Sequence, residues 1–121
     1  MSKTAIVILS DPKSGSDEAL GRAFNALAAA YDFKTKAEEV KIIFQGAGTR
    51  WPEQLQRPEH PAYELYQAVA DKIEGVSSGC ADVFGGDPSG LELIHDNQVP
   101  GTSGLPSFVN LKNDGFDVLV F

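Results

Sequence analysis

The first apolar run, Ala5-Ile6-Val7-Ile8-Leu9, has no polar interruption and is rich in β-branched residues. Closed by Ser10-Asp11-Pro12, it reads as a strand buried on both faces, which places it inside a parallel sheet. A turn-rich loop follows, from Asp11 to Ser16. Leu20, Ala23, Phe24, Leu27, Ala28 and Tyr31 then recur at the three- and four-residue spacing of one helical face. Ser14 or Ser16 caps this helix, Asp17 and Glu18 suit the positive end of its dipole, and the pattern stops near Phe33. Val40-Lys41-Ile42-Ile43-Phe44 reads as a second strand, ended by Gln45-Gly46-Ala47-Gly48. Between Thr49 and Pro58 no period is sustained, and Pro52 and Pro58 interrupt, so that stretch reads as a long loop, a place where function often sits.

A second helix is expected from Pro61, with Ala62, Leu65, Tyr66, Val69, Ala70 and Ile73 as its apolar stripe and Gly75 as its C-terminal cap. Val76 and its neighbours form a short third strand, and Cys80 to Phe84 open a short helix. Leu91, Leu93 and Ile94 mark a further brief element, helix or strand. The tail admits two readings. Asp114-Gly115 is a hairpin turn, or Ser107 caps a short helix that Gly115 ends before a buried strand from Val118 to Phe121. The upstream alternation of strands and helices favours the second.

This alternation defines an α/β chain with a mainly parallel sheet, helices on both faces and right-handed crossovers. Sites in such sheets form at the carboxyl ends of strands. That rule singles out Ser10 to Ser16, Gln45 to Arg57, and Ser77 to Gly86.

Composition narrows the picture. A length of 121 residues fits one domain, residues 1–121, and the net charge is −7. Such a surface repels phosphate backbones and anionic membranes, so neither nucleic acid nor a membrane is an expected partner. One cysteine excludes an intrachain disulfide framework. No apolar run approaches the length of a signal core or membrane span, and the expected location is the cytoplasm.

The single cysteine, Cys80, is the most promising chemical group. A helix start offers aligned amide dipoles and free N–H donors, both of which stabilise a thiolate. Ser77, Ser78 and Gly79 put only small groups beside it, leaving room for a substrate, whereas Asp82 opposes the thiolate. The competing reading is a buried structural cysteine. Ser14-Gly15-Ser16 hints at a phosphate-binding turn, but without a complete Gly-rich motif and with Asp11 and Asp17 beside it, a plain helix cap is favoured. His60 and His95 match no zinc spacing with Cys80 and read as surface or capping residues. No metal or cofactor is expected. Trp51 is either an exposed lid or subunit contact, or a side chain folded onto its own domain.

Taken together, several segments resemble the DsrE/DsrF-like family of small sulfur-relay proteins. They are Ala5 to Leu9, Val40 to Gly46, His60-Pro61-Ala62-Tyr63, the stretch from Gly75 through Cys80-Ala81 to Phe84-Gly85, and the tail from Pro106-Ser107-Phe108 to Phe121. The resemblance implies a three-layer flavodoxin-like α/β domain that assembles into trimers or hexamers. It also implies that Cys80 carries sulfur as a persulfide and passes it to an acceptor thiol, with Ser77, Ser78 and Gly79 shaping its pocket. A donor or acceptor protein is then an expected partner. Ser77 stands where some relatives of this type carry a second cysteine, and Leu105 where a histidine tends to precede the Pro-Ser pair. The alternative is a non-enzymatic oligomeric module that binds a small ligand or partner, with Cys80 structural.

Overall fold

A computed structural model describes residues 2–121. The first apolar run forms β1 (Lys3–Ile8), which pairs in parallel with β2 (Glu39–Phe44) on one side and with β5 (Asp117–Val120) on the other. It is therefore an interior strand, which explains why it tolerates no polar interruption. β3 (Ile73–Ser77) lies beyond β2, and the two-residue β4 (Leu93–Ile94) closes the far edge. The sheet is all parallel, in the order β4-β3-β2-β1-β5.

From β1 to β4 the chain steps steadily in one direction. Its crossovers carry α1 (Asp17–Thr35), α2 (Trp51–Leu55), α3 (Tyr63–Val69) and α4 (Ser78–Phe84). For β5 the direction reverses, so α5 (Phe108–Asn113) covers the opposite face. Two cores result. Ile6, Ile8, Val40, Ile42 and Phe44 meet the first four helices, while Ala5, Val7, Ile43 and Ile94 meet Leu111 of α5 and Phe116. The three-layer, flavodoxin-like α/β architecture expected from the sequence is present, with this strand order in place of 2-1-3-4-5.

Several segments depart from the sequence pattern. The α1 face that touches the sheet is Ala19, Ala23, Ala26, Leu27 and Ala30, and the larger Phe24 and Tyr31 stay 43% and 46% exposed. Small residues let the helix approach the sheet closely, and the aromatics fall to the flank. The long loop expected after β2 is helical instead: a 3-10 turn (Gly46–Arg50) runs directly into α2. Pro52 falls within the first turn of α2, where its missing N–H costs nothing. The third crossover helix ends at Val69, and Ile73 opens a strand. Gly75 is not a helix cap but lies within β3, where a Cβ would sit 2.4 Å from the Glu92 carbonyl oxygen of the next strand segment. At the tail, Ser107 caps α5 by accepting the Asn110 N–H at 3.1 Å, and Gly115 turns the chain at φ 88° into β5. The hairpin reading is thereby replaced.

Candidate functional site

The Cys80 segment lies at the carboxyl end of β3. Ser77 is the last residue of that strand and the N-cap of α4, its Oγ accepting the Cys80 N–H at 3.4 Å. Eight residues after Ser77, Gly85, at φ 69°, ends the helix. Cys80 thus occupies the first turn of a short helix, as its flanking serines and glycines indicated, and it is 8% exposed.

The surroundings of this turn were not foreseen. A strap from Asn97 to Leu105 closes on itself through paired backbone hydrogen bonds between those two residues, at 2.7 and 2.8 Å. It lies across the start of α4. The Gly79 N–H donates to the Gly104 carbonyl at 2.7 Å. The hydroxyl of Ser103 donates to the Asp82 carboxylate at 2.8 Å and accepts from Ser78 at 2.7 Å. A Cβ on Gly79 would meet Leu105 Cδ1 at 2.7 Å and Thr102 Cβ at 3.0 Å, so only glycine permits this approach. Two N–H groups of the first turn, those of Gly79 and Cys80, are therefore engaged by the protein itself. Asp82 points its charge into a hydroxyl pair. Of the three small residues before Cys80, Ser77 holds the Cys80 amide, and Ser78 and Gly79 are docking points for the strap.

Arg50 was passed over in the sequence. It ends the 3-10 turn after β2, and its guanidinium joins three strand-end segments. Nη1 lies 3.0 Å from Asp11 Oδ1, Nε donates to the Phe84 carbonyl at 2.7 Å, and the group sits 5.8 Å from the Phe84 ring centre. Burial raises the Asp11 carboxyl, but the Lys13 amide and the Arg50 guanidinium outweigh it and hold the group below its ordinary value. The available signal was a cation and a carboxylate in two loops that the strand-end rule had already singled out.

Trp51 is buried, 2% exposed, and its Nε1 donates to the Ser10 carbonyl at 2.8 Å. Of its two readings, the one folded onto its own domain is correct. Its ring meets His60 edge-on at 6.3 Å. His60 Nδ1 accepts the Ala62 N–H at 3.0 Å, which puts the ring proton on Nε2. Burial, reinforced by Arg57, lowers the His60 pKa. His60 thus closes the turn that leads into α3, whereas His95 is exposed, with its Cβ and backbone close against Gly104. Ser16 accepts the Ala19 N–H at 3.1 Å and so acts as the plain cap of α1.

A cavity of about 150 Å³ beside α1 is lined by Leu20, Trp51 and His60, and one of about 190 Å³ on the α5 face by Lys41, Glu74 and Asp96. Neither includes Cys80. Among the described residues no group of three or more His, Cys, Asp or Glu side chains could hold a metal ion, and no helix is long and apolar enough to cross a membrane.

Layers, strand order and a cysteine on the first turn after β3 define a small α/β protein with a strand-end thiol. The chain belongs to the DsrE/DsrF-like family, whose sequence profile matches residues 2–121, and that membership associates it with sulfur relay. Neither the curated proteins nor the solved structures include a match.

Proposed function

We propose that the protein is a sulfur carrier in which Cys80 holds a persulfide and passes its outer sulfur to an acceptor thiol. The observation that carries this reading is the placement of the only cysteine of a DsrE/DsrF-like chain at the strand-end turn between β3 and α4. In the loading step the Cys80 thiolate attacks a sulfane sulfur, a new S–S bond forms on Cys80, and the donor leaves as its own anion. Transfer reverses the roles: an acceptor thiolate attacks the outer sulfur and Cys80 leaves as thiolate. Neither step needs a metal or an added oxidant. A single free thiol fits a reducing cytoplasm.

Self-association into a trimer or hexamer belongs to the same proposal. Its support now comes from apolar side chains left open on α5 and the edge strand β5, namely Phe108, Val109, Leu119 and Val120, rather than from Trp51. Light scattering at micromolar concentration reads the assembly, and a particle of one chain mass would remove it.

The burial of Cys80 favours one rival, a partner-binding module with a structural cysteine. Intact-mass measurement after exposure to thiosulfate or glutathione persulfide separates the two. The wild type should gain the mass of one sulfur and Cys80→Ser none, with the fold retained, because the exchange is nearly isosteric. Equal uptake by both proteins, or uptake by neither, establishes the module instead.

A further inference from the structure

The sheet ends at β5, and the outer side of that strand has no neighbouring strand. The Phe121 N–H donates to the Val7 carbonyl at 2.8 Å, and the Phe121 carbonyl accepts from the Leu9 N–H at 2.8 Å. Both backbone groups of Phe121 thus face β1. In a parallel ladder alternate residues turn their backbone groups to the same neighbour, so those of Asp117 and Leu119 face β1 as well. The N–H and C=O groups of Val118 and Val120 face outward.

Proteins blunt such an edge with lysine, proline, a bulge or a covering segment. β5 contains no lysine and no proline, its register with β1 is unbroken, and Leu119 and Val120 are 41% and 56% exposed. The opposite edge, β4, is two residues long and offers little to pair with. Side chains alternate along β5. Val118 and Val120 lie on the α5 face, where Val118 packs with the Leu111 cluster, and Asp117, Leu119 and Phe121 lie on the α1 face. The outer side of β5 is therefore an open ladder flanked by apolar side chains.

We propose that β5 pairs antiparallel with β5 of a second copy across a two-fold axis at Leu119, so that one sheet runs through both chains. This inference rests on the self-association proposed above and not on the sulfur chemistry of Cys80. A second copy is the occupant because the edge is complementary to itself. Within β5 the two outward residues meet each other only when the axis passes through Leu119. Val118 then exchanges both backbone hydrogen bonds with Val120 of the second copy, and Val120 with Val118. Leu119 meets its own copy in a non-hydrogen-bonded pair, where side chains come closest. Charge selects the same register. Asp117 is the only charged residue of the strand, and it falls opposite Phe121 of the second copy. The two Asp117 residues then stand about 14 Å apart along the ribbon, beyond the roughly 8 Å screening length of physiological salt. An axis one residue earlier, at Val118, would bring them to about 7 Å in a chain of net charge −7. It would also set Val120 against Phe116, whose N–H already donates to the Leu111 carbonyl. A standard interface takes about 800 Å² from each partner, more than a ribbon of this length covers. Phe108 and Val109, 45% and 66% exposed on the helix that packs over Val118, supply further apolar area beside it.

The test uses the full chain carrying Cys80→Ser, so that an introduced thiol is the only one. Leu119→Cys sets two thiols across the axis with Cα atoms about 4.5–5.5 Å apart, within disulfide reach. Asp117→Cys sets them about 14 Å apart, outside it. Diamide oxidises each variant, and intact mass and a non-reducing gel read the covalent dimer. Leu119→Cys should cross-link at least about 10-fold faster than Asp117→Cys, which joins only through chance encounters. Light scattering of the wild type at micromolar concentration should give an even number of chains, because a two-fold contact closes on a pair. A hexamer built from two trimers contains such axes and a lone trimer does not. A Leu119→Cys rate no greater than that of Asp117→Cys, or a particle of three chains, overturns the two-fold contact while self-association stands. A particle of one chain defeats the self-association reading and this inference together.

Discussion

Gly79→Ala places one methyl group where the strap crosses α4. The new Cβ would stand 2.7 Å from Leu105 Cδ1, 3.0 Å from Thr102 Cβ and 3.1 Å from the Gly104 carbonyl oxygen. Backbone and a β-carbon are two of those three neighbours, so the strap itself must shift. Overpacking of this kind costs about 1–3 kcal/mol, and the Gly79–Gly104 hydrogen bond is strained along with it. Alanine's better helix propensity returns at most about 1 kcal/mol, less in a first turn. The expected net effect is a loss of about 1–2 kcal/mol. Gly21 supplies the control, because it lies within α1 with nothing inside 4 Å of its would-be Cβ. Gly21→Ala should stabilise by about 0.5–1 kcal/mol through backbone entropy alone. The same chemical change thus moves stability in opposite directions at two helical sites, a separation of roughly 10 °C in Tm for a chain of this size. Urea or thermal unfolding measures the difference. The rate at which a thiol reagent modifies Cys80 under native conditions should also rise in Gly79→Ala. If Gly79→Ala stabilises as Gly21→Ala does and leaves the thiol rate unchanged, the strap is not packed on the cysteine helix and the geometry described here is wrong.

Two other expectations concern the α1–α2 side of the molecule. Trp51→Ala should cost about 3–5 kcal/mol, as for other large buried aromatics, whereas Trp51→Phe should cost far less and leave the particle size in light scattering unchanged, because the indole lies inside the protomer; a cost below about 1 kcal/mol for the alanine variant would contradict its burial. Because His60 has a lowered pKa when folded, the unfolded chain takes up the proton first, so stability is full above the ordinary histidine pKa of about 6.5 and declines as pH falls below it. His60→Gln should flatten that decline in a series of Tm measurements between about pH 5 and 7, and an unchanged slope would assign the dependence to other groups.

The chain's local pattern determined a great deal. The uninterrupted, β-branched run at Ala5–Leu9 favours an interior strand, and the i, i+3, i+4 spacing after Asp17 favours a helix. The Ser-Gly punctuation around Cys80 located the strand-to-helix turn, because caps and periods are set by residues within a few positions of one another. The tertiary structure alone decided what surrounds that turn. Trp51 is claimed by Ser10, 41 positions away, and Arg50 by Phe84, 34 positions away. The strap reaches α4 across more than 20 positions, with Gly79 meeting Gly104. None of these contacts has a period or a motif. Each depends on the strand order, which brings the ends of β1, β2 and β3 side by side and packs the segment after β4 across the start of α4. The same cause explains Phe24 and Tyr31, which fit the helical stripe but fall outside the contact. Periodicity identifies which residues share a side of a helix, while the distance at which the helix meets the sheet decides which of them are covered.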